Sequence, residues 1–411
     1  MTGCVVAGES DEASGSRIAE VFRAFLHLGL TSFGGPIAHL GYFRDAFVVR
    51  RKWIDEAGYA DLVALCQFLP GPASSQVGFS LGVLRGGGLA GGLAAWAGFT
   101  LPSAVLLVAF AYGAAALDNS IGQGILHGLK LVAVAVVAQA LWGMARTLTP
   151  DRQRIAIALG ALILVSLVGG WLGQVGAIAA GAIAGLFLCR GEGSQASTHP
   201  AFPVSRRAGI VALGLFALLL VAPPALFGWT GNHVLAFFDA FYRSGALVFG
   251  GGHVVLPLLE NAVAAPGWVP LQGFLAGYGA AQAVPGPLFT FAAYLGAVSG
   301  IVPNGLLGAS LALIAIFLPG LLLVYGALPF WDQLRALPRA QAAMRGTNAA
   351  VVGILAAAFY DPVLTSAIVE PLDVVFGLGG FLLLVFARTP PWVVVILLAA
   401  AGAAMQILFA G

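Results

Sequence analysis

The triplet Pro-Gly-Pro occurs twice in this chain, at 70–72 and 285–287, and its surroundings match as well. "CQFLPGPASSQ" (66–76) lies over "AQAVPGPLFTF" (281–291), with Gln67 over Gln282, at a shift of 215. Further matches keep the same order at nearly the same shift: "SFGG" (32–35) over "VFGG" (248–251), Trp53 over Trp268, "FTLP" (99–102) over "IFLP" (316–319), and "GLKLVAVAVVA" (128–138) over "GTNAAVVGILA" (346–356). Chance does not order so many matches, so the chain is a duplication. The copies span 17–189 and 232–411. A polar tail (1–16) precedes them, and 190–231 joins them as a hydrophilic loop (190–207) followed by an apolar segment (208–227). A duplicated chain is constrained to fold as two like units related by a symmetry operation.

The environment of those units follows from polarity. Of 411 residues 60% are hydrophobic and only 9% charged, and the mean hydropathy of +0.96 lies far from that of water-soluble domains. Apolar runs of helix-spanning length recur from residue 88 onward, and the alternating pattern of barrel strands is missing, which predicts an all-α polytopic membrane protein of roughly ten or more helical elements. The acidic start (Glu9, Asp11, Glu12) lacks the basic and apolar regions of a cleaved signal. Cys4, Cys66 and Cys189 are too scattered for a metal site or a disulfide framework. A net charge of +2 gives no reason to expect nucleic acid as a partner.

Where the basic residues lie orients the copies. In the first they cluster at Arg44, Arg50, Arg51, Lys52, Arg85, Arg146, Arg152, Arg154, Arg190, Arg206 and Arg207. The matching loops of the second (260–270, 299–304, 360–370) contain no Lys or Arg, and its basics, Arg335, Arg339, Arg345 and Arg388, fall where the first has Asp118, Asn119 or glycines. Lys and Arg mark cytoplasmic loops, so the copies are expected in opposite orientations, with 208–227 as the linking span. Full spans are then expected at about 87–117, 120–145, 154–169, 171–189, 208–227, 304–331, 344–360, 366–387 and 391–409. Residues 17–84 and 234–303 keep both ends on one side and read as broken helices, re-entrant hairpins turning back at Gly34-Gly35-Pro36, Pro70-Gly71-Pro72, Gly250-Gly251-Gly252 and Pro285-Gly286-Pro287. The N-terminus is placed in the cytoplasm and the C-terminus on the opposite side.

Breaks in lipid carry a chemical consequence. Amides freed from the helix need protein, water or ligand as partner at that depth. Pro72 suits the first position of a helix and Gly71 the turn before it. The helix start behind them offers partial positive charge to an oxyanion, and Ser74, Ser75 and Gln76 add polar side chains there. The Gly34-Gly35 break has the same form. With Gly251, Gly286 and Thr290 of the second copy, four helix starts would converge on a cage suited to a tetrahedral anion. A plain kink is the structural alternative for one break, and its duplication argues against that.

Intramembrane ionisable residues are the second signal. Lys130 could balance a bound anion or snorkel to an interface, with His127 one turn before it on the same face; Asn348 takes its place in the second copy. Arg243 aligns with His27 and Asp239 with Arg23, which fits an anion site or a structural ion pair. His39 and His253, just past the glycine breaks, fit proton carriers or capping groups. Glu260 is expected at the outer face in contact with solvent. No HExxH, Walker loop, acyl-transfer triad, metal cluster or cofactor motif appears, so neither catalysis nor ATP drive is supported.

Four segments, "LGLTSFGGPIAHLGYF" (28–43), "QFLPGPASSQVG" (67–78), "GALVFGGGHVVLPLLE" (245–260) and "QAVPGPLFTFAAYLG" (282–296), resemble the chromate ion transporter family in its long, two-domain form. The resemblance covers nearly all of the chain outside 1–16 and 190–207. It implies a carrier of the bacterial inner membrane that exports chromate, driven by the proton gradient, with sulfate as the natural competitor. The second copy departs from the first after its Pro-Gly-Pro, having Leu288, Phe289 and Thr290 instead of Ser-Ser-Gln, which puts an evenly shared site in doubt. A sulfate or other oxyanion carrier, an importer or exchanger, and an anion channel remain as alternatives; lipid and protons are further partners, and a homo-oligomer stays open.

Overall fold

The computed structural model describes residues 6–33, 35–114, 120–189, 202–249, 254–331 and 337–409. Among these the chain is helical, without a strand. The first copy comprises α1 (Val6–Thr31), α2 (Gly35–Arg44, extended by a π turn, Asp45–Arg50), α3 (Glu56–Phe68), α4 (Ala73–Gly86), α5 (Leu89–Ala114), α6 (Ser120–Leu148), α7 (Arg152–Val168) and α8 (Gly170–Leu188). The linking helix is α9 (Arg206–Thr230). The second copy comprises α10 (His233–Ala246), α11 (Val255–Leu259, extended by Glu260–Ala264), α12 (Leu271–Ala281), α13 (Phe291–Val298, after a 3-10 turn, Leu288–Thr290), α14 (Gly305–Ala327), α15 (Pro338–Ala358), α16 (Pro371–Val385) and α17 (Pro391–Phe409). α1 begins at Val6, so part of the stretch read as a polar tail extends the first helix.

Among the described residues five helical stretches are long and apolar enough to cross a membrane: Leu89–Gly113, Ile121–Leu148, Arg206–Thr230, Gly305–Phe330 and Pro338–Ala367. Helix starts are set by local chemistry. Asp55, Asp151, Ser205 and Asn232 each accept an amide of the following turn, at the starts of α3, α7, α9 and α10. α9 presents Ile210, Val211, Leu218 and Val221 outward, the all-apolar surface expected against lipid tails.

The four helices before α5 form two hairpins whose outer ends meet. Glu20 of α1 binds Arg85 at the end of α4 (2.7 Å) and lies 3.9 Å from Arg51, and both guanidiniums sit over the Trp53 ring just ahead of α3. Residues on either side of both breaks thus return to one end of the bundle. In the second copy Trp268 plays the same part: its carbonyl accepts Gly300 N–H (2.7 Å) and its ring stacks on Phe237 of α10.

The remaining helices exchange partners between copies. α6 packs along α17, and α15 along α8. Small residues permit the contact: a Cβ at Gly128 of α6 would run into the Leu398 carbonyl of α17, the close approach that small residues allow in lipid.

Candidate substrate site at the crossing of the two breaks

The Pro-Gly-Pro tips hold each other's copy. Gly71 N–H donates to Val248 O (2.7 Å), and Gly286 N–H donates to Ser32 O (2.9 Å). Ser32 and Val248 occupy matched positions, as do Gly71 and Gly286, so the two bonds are one bond made twice. Both glycines have positive φ, +121° and +99°, a region L side chains avoid. Each also abuts the residue after the proline in the other copy's long helix. A Cβ on Gly71 would lie 3.0 Å from Gly320 Cα, and one on Gly286 would strike Ser103 Oγ. Ser103 Oγ–H donates to Pro285 O. Gln76 Nε2 donates to Pro70 O (2.9 Å) and to Gly320 O (3.0 Å).

Beyond that crossing α4 starts at Ala73, and Pro72 stands at the N-cap rather than at the first helical position expected for it. The first i→i−4 bond of the helix is Gln76 N–H to Pro72 O (2.9 Å), so the amides of Ala73, Ser74 and Ser75 lead the helix. Ser74 and Ser75 are each 2% exposed, and Gln76 is fully buried. Ser75 Oγ and Gln76 Oε1 have no protein partner, which is costly for buried polar atoms. Ser32 Oγ, in the other break, is buried and unpartnered too. The second copy is closed at the corresponding point. A 3-10 turn replaces the first helical turn, Thr290 N–H donates to Pro287 O (3.0 Å), and Thr290 Oγ1 donates to the same oxygen (2.7 Å).

The other candidates lie in different surroundings. Gly35 opens α2 with φ +79° and open space where a side chain would be. His39 of α2 is fully buried, edge-on to Phe99 at 5.1 Å, and neither ring nitrogen reaches a hydrogen-bonding partner. Lys130 of α6 is half-buried and within electrostatic range of Asp373. Asn348, its counterpart on α15, has an unpartnered Oδ1. Arg243 is engaged in an ion pair with Asp239 (3.0 Å) and lines a cavity of 460 Å³ with Trp268 and Gln174. Glu260 faces a larger cavity, 630 Å³, together with Asp361 and Gln174. Gly34, Gly251 and His253 lie outside the described residues. Sequence reasoning missed Asp373, 2% exposed at the head of α16, whose Oδ1 lies 2.7 Å from His127 Nε2.

A helical membrane protein whose paired broken helices gather buried donors at their crossing has the construction of a carrier. The chain belongs to the chromate transporter family, whose sequence model matches it twice, over residues 19–186 and 235–403. It is therefore a transporter and not an enzyme. It is 29% identical over 362 residues to the chromate transport protein of Pseudomonas aeruginosa, covering 83% of this chain and 80% of the relative. It is 28% identical over 367 residues to a probable chromate transport protein of Synechococcus elongatus, covering 83% of each. The chromate transport protein of Cupriavidus metallidurans is 24% identical over 361 residues, 86% of this chain and 84% of the relative. No solved structure matches the chain.

Proposed function

We propose that the protein is a secondary carrier that exports chromate across the bacterial inner membrane in exchange with protons, and that the oxyanion binds where the breaks cross. The start of α4 carries this reading: three leading amides stand beside the unpartnered hydroxyl of Ser75 in a buried setting. Donors without a competing carboxylate at a helix N-terminus favour an anion. Gln76 has its N–H groups committed to the crossing, so Ser74, Ser75 and the amides hold the anion while Gln76 fixes their frame. Lys130 supplies compensating charge from α6.

The reciprocal bonds of Gly71 and Gly286 suit two copies related by a two-fold operation, and the segregated basic residues favour the inverted form of it. In that arrangement α3 rises from the cytoplasmic side, where Ala57, Ala60, Ala64 and Gln67 are exposed along one stripe. α12 comes from the opposite side and is packed against α6. The conformation then presents the site to the cytoplasm, where an exporter loads.

Sulfate is the second reading, because amide and hydroxyl donors do not distinguish two tetrahedral dianions well. Purified protein in liposomes, given labelled chromate under an imposed pH difference, is the test. Accumulation by counterflow with unlabelled chromate, weakly inhibited by sulfate, is expected. Equal inhibition by sulfate transfers the reading to a general oxyanion carrier, and absence of counterflow removes the carrier reading in favour of a pore.

A further inference from the structure

The pair His127–Asp373 joins α6 of the first copy to α16 of the second. Asp373 is the third residue of α16 and closes a capping arrangement: its Oδ2 accepts the N–H groups of Val369 and Glu370, both at 2.9 Å. Those two donors and the positive end of the helix keep it a carboxylate. Its other oxygen faces His127 Nε2, which must therefore carry the hydrogen of the 2.7 Å bond. Nδ1 is left as the basic nitrogen. The imidazole is 26% exposed and borders a 290 Å³ cavity lined also by Gly124, Glu370, Gly402 and Gln406. A proton has a route to it.

The charges around it are few. α6 contributes Lys130, one turn away, α16 contributes Asp373, and the segment before α16 contributes Glu370. α17 brings no charged residue, and α12 brings only the phenol of Tyr278. Of the other elements packed on α6, α15 carries Arg339 and Arg345, and its continuation carries Tyr360 and Asp361. Arg345 donates to Cys189 O (2.9 Å), and Tyr360 and Asp361 line the 630 Å³ cavity. Arg345 is also the residue of the second copy that matches His127. At matching places, therefore, one copy has a permanent cation and the other a group that can gain and lose its charge.

We propose that His127, held by Asp373 across the junction of the copies, is the residue that binds and releases the proton of the transport cycle. The incoming proton adds to Nδ1 and gives an imidazolium paired with Asp373; it leaves from the same nitrogen. When the imidazolium forms, Asp373 is satisfied by it and no longer offsets Lys130, so the charge at this junction changes by one at each turnover. The adjoining Leu129 carbonyl is where α12 meets α6, at Gly279, which places the proton site beside the contact between those two helices. His39, fully buried against Phe99, has no such access.

This inference rests on proton coupling, and the experiment separates the two. Wild type, His127→Gln and Asp373→Asn are reconstituted as full chains, with folding checked by gel filtration and thermal unfolding. Chromate flux is read under a pH difference of either polarity and by counterflow at equal pH. In folded His127→Gln the pH-driven rate is expected to fall about tenfold, within the usual range of a lost coupling, and counterflow by a much smaller factor. A pH response that survives in His127→Gln, or an equal loss in both modes, overturns the proposal alone. A wild type indifferent to the pH difference overturns the coupling reading and the proposal with it. Asp373→Asn is expected to keep part of the response with a displaced pH profile; an unmoved profile in a folded protein counts against the pair.

Discussion

α3 and α12 are the same helix made twice, each leading into a Pro-Gly-Pro tip, and they differ in what covers them. α12 is buried from Phe274 to Ala281, and its Gly279 touches the Leu129 carbonyl of α6 so closely that no side chain fits between. α3 shows Ala60, Ala64 and Gln67 to the outside, and among the described residues α15 offers it no matching contact. Besides its packing on α4 and the Tyr59 hydroxyl's bond to Leu40 O (2.6 Å), α3 is held at its flank: Trp331 Nε1–H donates to Asp61 Oδ2 (2.8 Å), and Phe68 packs against the Trp331 ring. Equivalent sequences in unequal environments are what a carrier built from two copies adopts when one end is shut. On the proposed carrier reading, the small side chains of the α3 stripe would let it pack on α15 as α12 packs on α6.

The largest break in this comparison comes from Gly279→Leu. Overpacking of about 1–3 kcal/mol is expected to lift α12 from α6, so that Ala276→Cys, buried in the parent, becomes reactive to an impermeant thiol reagent while transport collapses. A cross-link sharpens it next. Positions 64 and 347 match the contact of 279 with 129, so Ala64→Cys with Thr347→Cys, in a background lacking native cysteines, is expected to cross-link during turnover. Oxidation should cut flux about tenfold, the size of a typical conformational coupling, and reductant should restore it.

Ser75→Ala tests the site itself. Loss of one hydroxyl donor to a charged ligand, about 1.5–3 kcal/mol, should raise the KM for chromate about 10- to 150-fold by initial-rate measurement; Thr290→Ala should change it little, because Thr290 Oγ1 is bonded within its own turn. Asp61→Asn is the mildest. Exchanging a charged for a neutral acceptor opposite Trp331 is expected to shift the position of α3 by about 1 kcal/mol, read as a several-fold change in labelling of Gln67→Cys.

Most of the architecture was legible because it rests on local composition and on comparison of the chain with itself. The breaks at Gly35, Gly71 and Gly286 were visible as residue types, and the structure adds that all three take positive φ. What escaped were contacts between residues far apart in sequence. Gln76 read as an anion donor from its place behind the break; its amide donates to Pro70 O and, 244 residues on, to Gly320 O. His127 read as a companion of Lys130, and its partner Asp373 is 246 residues away. Arg243 with Asp239 was the easier case, since four residues along one helix is a spacing that sequence displays. The difference between Ser75 and Thr290 showed as a change of residues, and its physical form is a helical start in one copy against a 3-10 turn in the other.

The partner exchange along α6 and α17 also bears on how the protein is made. The glycine face of α6 around Gly128 is covered by α17, which is synthesised roughly 260 residues later, or roughly 15–50 s at ordinary ribosomal rates. For that interval the first half sits in the bilayer with its central helix uncovered. Assembly of that face of α6 therefore waits for the synthesis of α17.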